Sequence, residues 1–418
     1  METEIGKWMQ TAPFTLTKGQ EQAIKAVASN RLSVITGGAG TGKTTITKAI
    51  IESYEAAHPG KAIHLLAPTS KAARRMKEAT GREAHTIHSA LKMKTGEGQL
   101  EYSRKLEAGL VIVDEFSMVD SFVALNLFKA CDKESTIVLI GDVNQLPSVG
   151  PGCVLSELIR SEKVCINYLR KIMRQDGESP IIANSYQIND GSCELEFNDY
   201  FRFVKADRDS SEEIVLQTYM DEVSRYGLSE VAVLTPLRKF GDVCADALNE
   251  AAQRRLHTNE EQVFVLHGTN FCVGDRVIQT RNSDKASNGD VGFIKAIEPT
   301  TDMYGHKDHL FVIDFEEGET LKYSRQEMND IDLAYALTVH KSQGSEYKSV
   351  IIPLLGKSRL YKRNLLYTAV TRAKEKVTII GDCNAINTCI LTEDSNQRRS
   401  LLANRIYLMM EQEENKKG

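Results

Sequence analysis

The sequence predicts an α/β protein of two parallel-sheet domains, the second carrying a small inserted antiparallel β module. Three observations predict it. At 418 residues the chain is long for a single core. Seven short β-rich runs alternate with helix-like segments: LSVITG (32–37), AIHLLAPT (62–69), LVIVDE (110–115), TIVLIGD (136–142), VAVLTP (231–236), SVIIPLL (349–355) and KVTIIGD (376–382). Several end in Gly, Asp or Pro before a helical pattern, as buried strands of βαβ units do. From 263 to 326 the pattern changes to DRVIQTR, VGFIKAIE, HLFVIDF and ETLKYS, separated by the turn clusters SNGD and MYGHKD, which reads as an antiparallel insertion.

Composition bounds the rest. With 41% hydrophobic and 26% charged residues the chain reads as soluble and globular. It has no apolar run near 18 residues and no signal-like N-terminus, so neither a membrane span nor export is expected, and the cytoplasm is the expected location. Eight cysteines without a C-x-x-C pair read as thiols in a reducing compartment, not as a zinc or disulfide framework. The net charge of −5 is unevenly spread: Leu66 to Lys94 holds seven Lys/Arg against two Glu, and Lys341 to Lys376 nine against two acids. Two basic islands on an acidic background can line a groove that tracks phosphates; solvated helix faces would look alike. No internal repeat is expected, and residues 391–418 read as a helix running into a charged tail.

The segment GGAGTGKTT comprises Gly37, Gly38, Ala39, Gly40, Thr41, Gly42, Lys43, Thr44 and Thr45, and fits G-x-x-x-x-G-K-[ST]. It follows an apolar strand and opens the helical run TTITKAIIESYEAA, the context in which backbone N–H groups close around phosphates. Lys43 can then reach the β- and γ-phosphates and Thr44 can hold Mg²⁺. Asp114, at the end of LVIVDE, can bind the same ion, and Glu115 can polarise an attacking water. Gln145, in LIGDVNQLP, is placed to sense the γ-phosphate or orient water, or else to anchor its loop. Positive charge for the transition state can come from Arg174 in LRKIMRQ and Arg372 in LLYTAVTRAKEK, although spacing alone leaves both open as surface charges.

Taken together, these segments resemble superfamily 1 DNA helicases of the 5′-to-3′ class, closest to the RecD-like group and more loosely phage Dda. Eleven elements run in family order: LTKGQEQAI (16–24), GGAGTGKTT, LAPTSKAARRM (66–76), AHTIHSAL (84–91), VIVDEFSM (111–118), GDVNQLPSVGPG (141–152), LRKIMRQ, VLTPLRK (233–239), NGDVG (288–292), ALTVHKSQGSE (336–346) and YTAVTRAK (367–374). The resemblance implies two RecA-like domains with ATP and Mg²⁺ between them, an SH3-like insertion and a short strand-separating pin. On that basis residues 1–165 form the first domain with the pin at about 92–108, residues 166–262 plus 327–390 the second, 263–326 the inserted module, and 391–418 a C-terminal helix and tail.

Residue roles implied by the resemblance follow position by position. Gln20 reads the adenine edge, and Arg174 and Arg372 are the two arginine fingers. Single-stranded DNA is gripped by Thr69, Ser70, Lys71, Thr86, His88, Pro147 and Val149 on the first domain. Thr235, Pro236, Thr338 and His340 do so on the second, and Asn282 and Asn288 on the β module. The polar run TVHKSQGSEYKSV (338–350) becomes a coupler, with Thr338 and His340 toward DNA and Gln343, Gly344 and Glu346 toward the nucleotide. The implied partners are single-stranded DNA, single–double-strand junctions and an unidentified replication or repair protein. The chain begins almost at LTKGQ, so partner contacts of the longer N-terminal region of RecD-like proteins are not carried over. The pin is short, which keeps a DNA-stimulated ATPase or loading module without efficient unwinding as an alternative. A P-loop kinase or GTPase is a further rival that leaves the second half without a role, and RNA is the alternative track.

Overall fold

The computed structural model describes residues 6, 8, 16–96, 99–170, 179–257, 263–266, 268–301, 306–315, 320–393 and 400–417. The chain divides into two compact units, 1–179 with 394–418, and 180–393.

In the first unit the strands are β1 (Leu32–Gly37), β2 (Ala62–Ala67), β3 (Ala84–Thr86), the pair β4 (Lys94–Gly96) and β5 (Gln99–Glu101), β6 (Gly109–Val113), β7 (Thr136–Gly141) and β8 (Cys165–Leu169). Six form one parallel sheet in the order β3-β2-β6-β7-β1-β8. Every residue of β6 is buried, as a central strand covered on both faces requires. One face packs Ile35, Leu65, Ile112, Val138 and Ile140 against the helices Lys18–Ser29 and Lys43–Ala57. The opposite face gathers Val34, Leu66, Val111, Phe116, Leu127 and Leu139. Because β8 pairs with β1, the first sheet extends past 165, and the boundary expected there moves to 179. Residues 400–417 also return to this unit: the buried Glu157 carboxylate accepts the Ala403 N–H at 3.0 Å, and the helix Leu402–Lys417 lies on Val154–Arg160.

The second unit contains β9 (Phe201–Lys205), β10 (Val231–Thr235), β11 (Phe264–Leu266), β12 (Thr269–Phe271), β13 (Arg276–Gln279), β14 (Val291–Thr301), β15 (Lys307–Phe315), β16 (Thr320–Ser324), β17 (Ile331–Leu333), β18 (Ala336–Thr338), β19 (Tyr347–Leu354) and β20 (Ala373–Gly381). Its parallel sheet runs β18-β10-β19-β20-β9. The insertion is an antiparallel sheet, β16-β15-β14-β13-β17, whose last strand lies beyond the expected limit at 326. It shares a core with the parallel sheet: Val277, Ile294 and Phe311 pack in one cluster with Val215, Tyr219 and Val231. Arg276 of β13 is fully buried, and its guanidinium donates to the carbonyls of Val231 (2.8 Å), Leu228 (3.0 Å) and Ser229 (3.3 Å).

The two parallel sheets are copies in topology. Numbered along the chain, β1, β2, β3, β6 and β7 take spatial order 3-2-4-5-1, and β9, β10, β18, β19 and β20 take the same order. Once the strands are matched, so are their ends. The third strands run into Thr86-Ile87-His88 and Thr338-Val339-His340; the fifth run into Ile140-Gly141-Asp142-Val143-Asn144 and Ile380-Gly381-Asp382-Cys383-Asn384. This likeness is one of topology and leaves no repeat in the sequence, as expected. Insertions of different size in different crossovers, a hairpin in the first and the β module in the second, destroy any constant period.

Candidate nucleotide and nucleic-acid sites

The glycine loop follows β1 and opens the helix Lys43–Ala57. Gly40 and Gly42 have φ of 73° and 79°, which turns successive backbone amides inward at low steric cost. A side chain at Gly37 would stand 2.6 Å from the Thr41 hydroxyl and 2.9 Å from Leu169. Lys43 Nζ donates to the carbonyls of Gly37 (2.8 Å) and Gly38 (2.9 Å), and Thr41 Oγ1 to Gly38 (2.9 Å), so the lysine spans its own loop. Thr44 is exposed, and Ala39 and Thr45 are partly so. Gln20 is fully buried; its Oε1 accepts the Thr17 N–H at 2.9 Å and its Nε2 meets the Gly42 carbonyl at 3.5 Å. In this arrangement the Gln20 amide braces the loop from behind, a role the sequence did not announce.

Asp114 and Glu115 sit just past β6, beside this loop. Burial and the neighbouring Glu115 carboxylate push Asp114 up to about 6, against the charges of Lys43 and Arg75, which pull it down. Glu115 takes φ 50°, ψ 39°, an unfavourable conformation for a non-glycine residue, and its Oε2 is buried without a hydrogen-bond partner. Gln145 Oε1 is likewise buried and unbonded, while its Nε2 meets Asp142 Oδ2 at 3.5 Å. Asp142 is fully buried and also accepts the Asn144 N–H at 3.0 Å, so it fixes the turn that carries Gln145. Crowded carboxylates and unbonded oxygens at strand ends suit a cation: Asp114 and the exposed Thr44 would hold Mg²⁺.

The residues expected to grip a nucleic acid fall into three groups. Thr69 and Thr86 cap short helices, accepting from Ala72 N (3.2 Å) and Ser89 N (3.1 Å), with Ser70, Lys71 and His88 partly exposed beside them. Burial pulls His88 below the usual imidazole range, so it favours the neutral ring. Val149 projects into solvent at 83% exposure, with Pro147 half-buried nearby. In the second unit Thr338 Oγ1 accepts the Lys341 N–H at 3.4 Å, and His340 is exposed. Asn282 and Asn288 are exposed in the β13–β14 connection, Asn282 Oδ1 accepting the Asn288 N–H at 2.8 Å.

Thr235 and Pro236 fall elsewhere. Both are buried, and the Thr235 hydroxyl donates to the Val243 carbonyl at 2.8 Å, which ties down the following loop, while both residues line the cavity at the carboxyl end of the second unit's parallel sheet. That loop exposes Arg238, Lys239 and Phe240. Sequence reasoning passed over these residues and Asp142; the basic pair after the Thr-Pro turn was the available signal.

Gly344 is buried at φ 76°, and Glu346 is exposed with Lys374 at 3.8 Å. Arg372 is 3% exposed; one of its nitrogens donates to the Ser345 carbonyl at 3.3 Å, and its Nε is buried without a partner. Arg174 lies outside the described residues. At the carboxyl ends of β9, β10, β19 and β20 the second unit carries an open cavity of about 830 Å³. The loop after β9 there reads Ala206-Asp207-Arg208-Asp209, without glycines, where the first unit has its glycine loop.

Comparison with known proteins places the chain. Residues 20–151 match an AAA domain, and 333–380 a UvrD-like helicase C-terminal domain. The chain is 32% identical to the ATP-dependent RecD2 DNA helicase of Deinococcus radiodurans over 88% of its own length, and spans 50% of that protein. It is 30% identical to the RecBCD enzyme subunit RecD of Mycobacterium tuberculosis, over 89% of this chain and 70% of that one. A Pif1 helicase from a study of unwinding at forked duplex DNA superposes with a TM-score of 0.55 at 20% identity, covering 96% of this chain and 98% of that one. Pif1 from Bacteroides, in complex with ADP-AlF3 and single-stranded DNA, gives 0.54 at 20% identity, over 97% and 98%. This second likeness is one of fold: two RecA-like domains with an inserted antiparallel β domain. The chain belongs to the RecD-like family of superfamily 1 helicases.

Proposed function

We propose that the protein is an ATP-driven motor that moves 5′-to-3′ along single-stranded DNA and unwinds the duplex it meets. The observation that carries the reading is the strand-end group in the first unit. Glu115 and Gln145 each keep a buried oxygen unbonded, next to the Lys43 loop. In this reading Lys43 leaves its own loop carbonyls for the β- and γ-phosphates. Glu115 accepts the proton of the attacking water, and Gln145 orients that water. Bound Mg²⁺ would supply charge neutralisation at the phosphates, with Thr44 and Asp114 as its protein ligands. Arg174 and Arg372 act as the arginine fingers. The Thr-x-His strand ends of both units hold the strand, with Val149 against a base and Asn282 and Asn288 as further contacts. Gly344 and Glu346 carry the state of the nucleotide site to Thr338 and His340. Movement requires that nucleotide binding change the affinity for the strand. The partners proposed are single-stranded DNA, strand junctions and a replication or repair protein.

The test is ATP hydrolysis with and without single-stranded DNA, using Lys43→Ala and Glu115→Gln as controls, followed by unwinding of 5′-tailed and 3′-tailed duplexes. Strong stimulation by DNA, abolished in both variants, with unwinding of the 5′-tailed substrate is expected. Indifference to DNA would sink the reading; unwinding of the 3′-tailed substrate alone would reverse the direction. A translocase without efficient unwinding is the second reading, favoured by the three-residue strands of the β4–β5 hairpin, the only candidate pin among the described residues.

A further inference from the structure

Beside the Thr338 strand end lies a groove of about 190 Å³ bordered by the cations Arg238, Lys239 and Lys341 and the carboxylates Asp246, Glu250 and Asp332. One carboxylate oxygen, Asp332 Oδ2, holds two cations there: Arg238 Nη2 at 3.0 Å and Lys341 Nζ at 3.0 Å. Arg238 also approaches Asp246 at 3.7 Å. The three principal side chains are partly exposed, at 53% for Arg238, 36% for Asp332 and 28% for Lys341. Bridges of that exposure are held weakly and are screened by salt, so either cation can change partner at little cost. The three come from separate segments: Arg238 from the loop after β10, Asp332 from β17 of the insertion, and Lys341 from the turn after β18. At the matching place in the first unit, the residue three past the strand-end threonine is Ser89, which carries no charge.

We propose that Arg238 and Lys341 are phosphodiester contacts of the second unit, and that Asp332 is a built-in competitor that weakens this grip. The inference rests on the single-stranded DNA reading above. When a strand binds, its phosphates displace Asp332 from the two cations. The carboxylate left behind recruits a counterion, so part of the gain from counterion release is cancelled. The grip of the second unit is thereby kept releasable. A motor that alternates between two holds needs at least one that lets go readily.

The experiment is equilibrium binding of a fluorescein-labelled oligothymidylate to the full chain without nucleotide, read by anisotropy across a salt series. Asp332→Asn is expected to tighten binding by about three- to tenfold at low salt, and to steepen the log–log salt dependence by about 0.7 per phosphate newly neutralised. Arg238→Ala and Lys341→Ala are each expected to weaken binding and flatten the slope. In the double variant lacking both cations, Asp332→Asn should change nothing. Unchanged affinity in Asp332→Asn overturns the proposal. So does equal tightening in the double-variant background, or from the remote control Asp221→Asn, because the effect would then be net charge alone. Wild-type protein that fails to bind the oligonucleotide overturns the motor reading and this inference together; binding by wild type with an unmoved Asp332→Asn overturns only the inference.

Discussion

Glu115 combines a left-handed backbone, a buried unbonded oxygen and an acidic neighbour held at about 6. Each is a cost to folding, and all three fall on the residue proposed to take the proton from water. Glu115→Gln keeps the shape and removes one of two crowded charges, so Asp114 should return toward its ordinary range. The expected result is lower turnover by about 10²–10⁴-fold together with a folded state more stable by about 1 kcal/mol. Steady-state ATPase and urea unfolding check the two halves, and a variant that loses both activity and stability would contradict the account. At this scale the strand-end motifs announced which residues lie together, as Lys43, Asp114 and Glu115 do. They did not show the tie between the Thr235 hydroxyl and the Val243 carbonyl, because a strand-end threonine looks the same whether its hydroxyl faces a ligand or ties down a loop. Burial decides between the two, and burial depends on residues far away in the chain.

Elements were legible where periodicity and turn chemistry agree. The seven predicted β-rich runs all contain strands of the two parallel sheets, since largely apolar runs, several ending in Gly, Asp or Pro, leave few alternatives. Three-residue strands such as β17 and β18 carry too little pattern to read, and their places are held by side chains from other elements. Asn249, on the helix Ala245–Leu256, does this for the segment entering the 338–350 turn. Its Nδ2 donates to the carbonyls of Leu333 (3.1 Å) and Ala336 (3.0 Å), and its Oδ1 accepts the Ala336 N–H at 2.7 Å. Asn249→Ala leaves those buried backbone groups without partners, at a cost of about 2–4 kcal/mol. Oligonucleotide binding should weaken in the same variant, because the Thr338 turn loses its support. Urea unfolding and anisotropy together test this; weakened binding without lost stability would show that Asn249 acts elsewhere.

Across the whole molecule, the inserted β module is continuous with the second parallel sheet. Arg276 reaches from β13 into three carbonyls of the 228–231 turn and lies over the Tyr347 ring at 5.6 Å. Arg276→Ala strips those carbonyls of their donors and should cost about 2–4 kcal/mol, and the module and the sheet should unfold in one transition, since they share a core. Two separate transitions in urea would refute that. The duplication of the sheets could not be seen from sequence, where only short strand-end motifs survive; it became visible once topology matched the strands.

Duplicated strand ends with unequal tasks predict different genetics. Asp142 fixes the turn that carries Gln145, whereas Asp382, in the same Ile-Gly-Asp context, accepts Ala385 N at 2.8 Å and Gly356 N at 3.0 Å to hold a helix start and a loop. Under the proposed motor reading, Asp142→Asn, which keeps the side chain's shape and one acceptor oxygen, would leave a folded protein that occupies DNA without moving and obstructs its normal counterpart. A change at the second would lower the amount of folded protein and leave the remainder competent. One dipeptide, used twice, should thus yield dominant alleles in one copy and recessive alleles in the other.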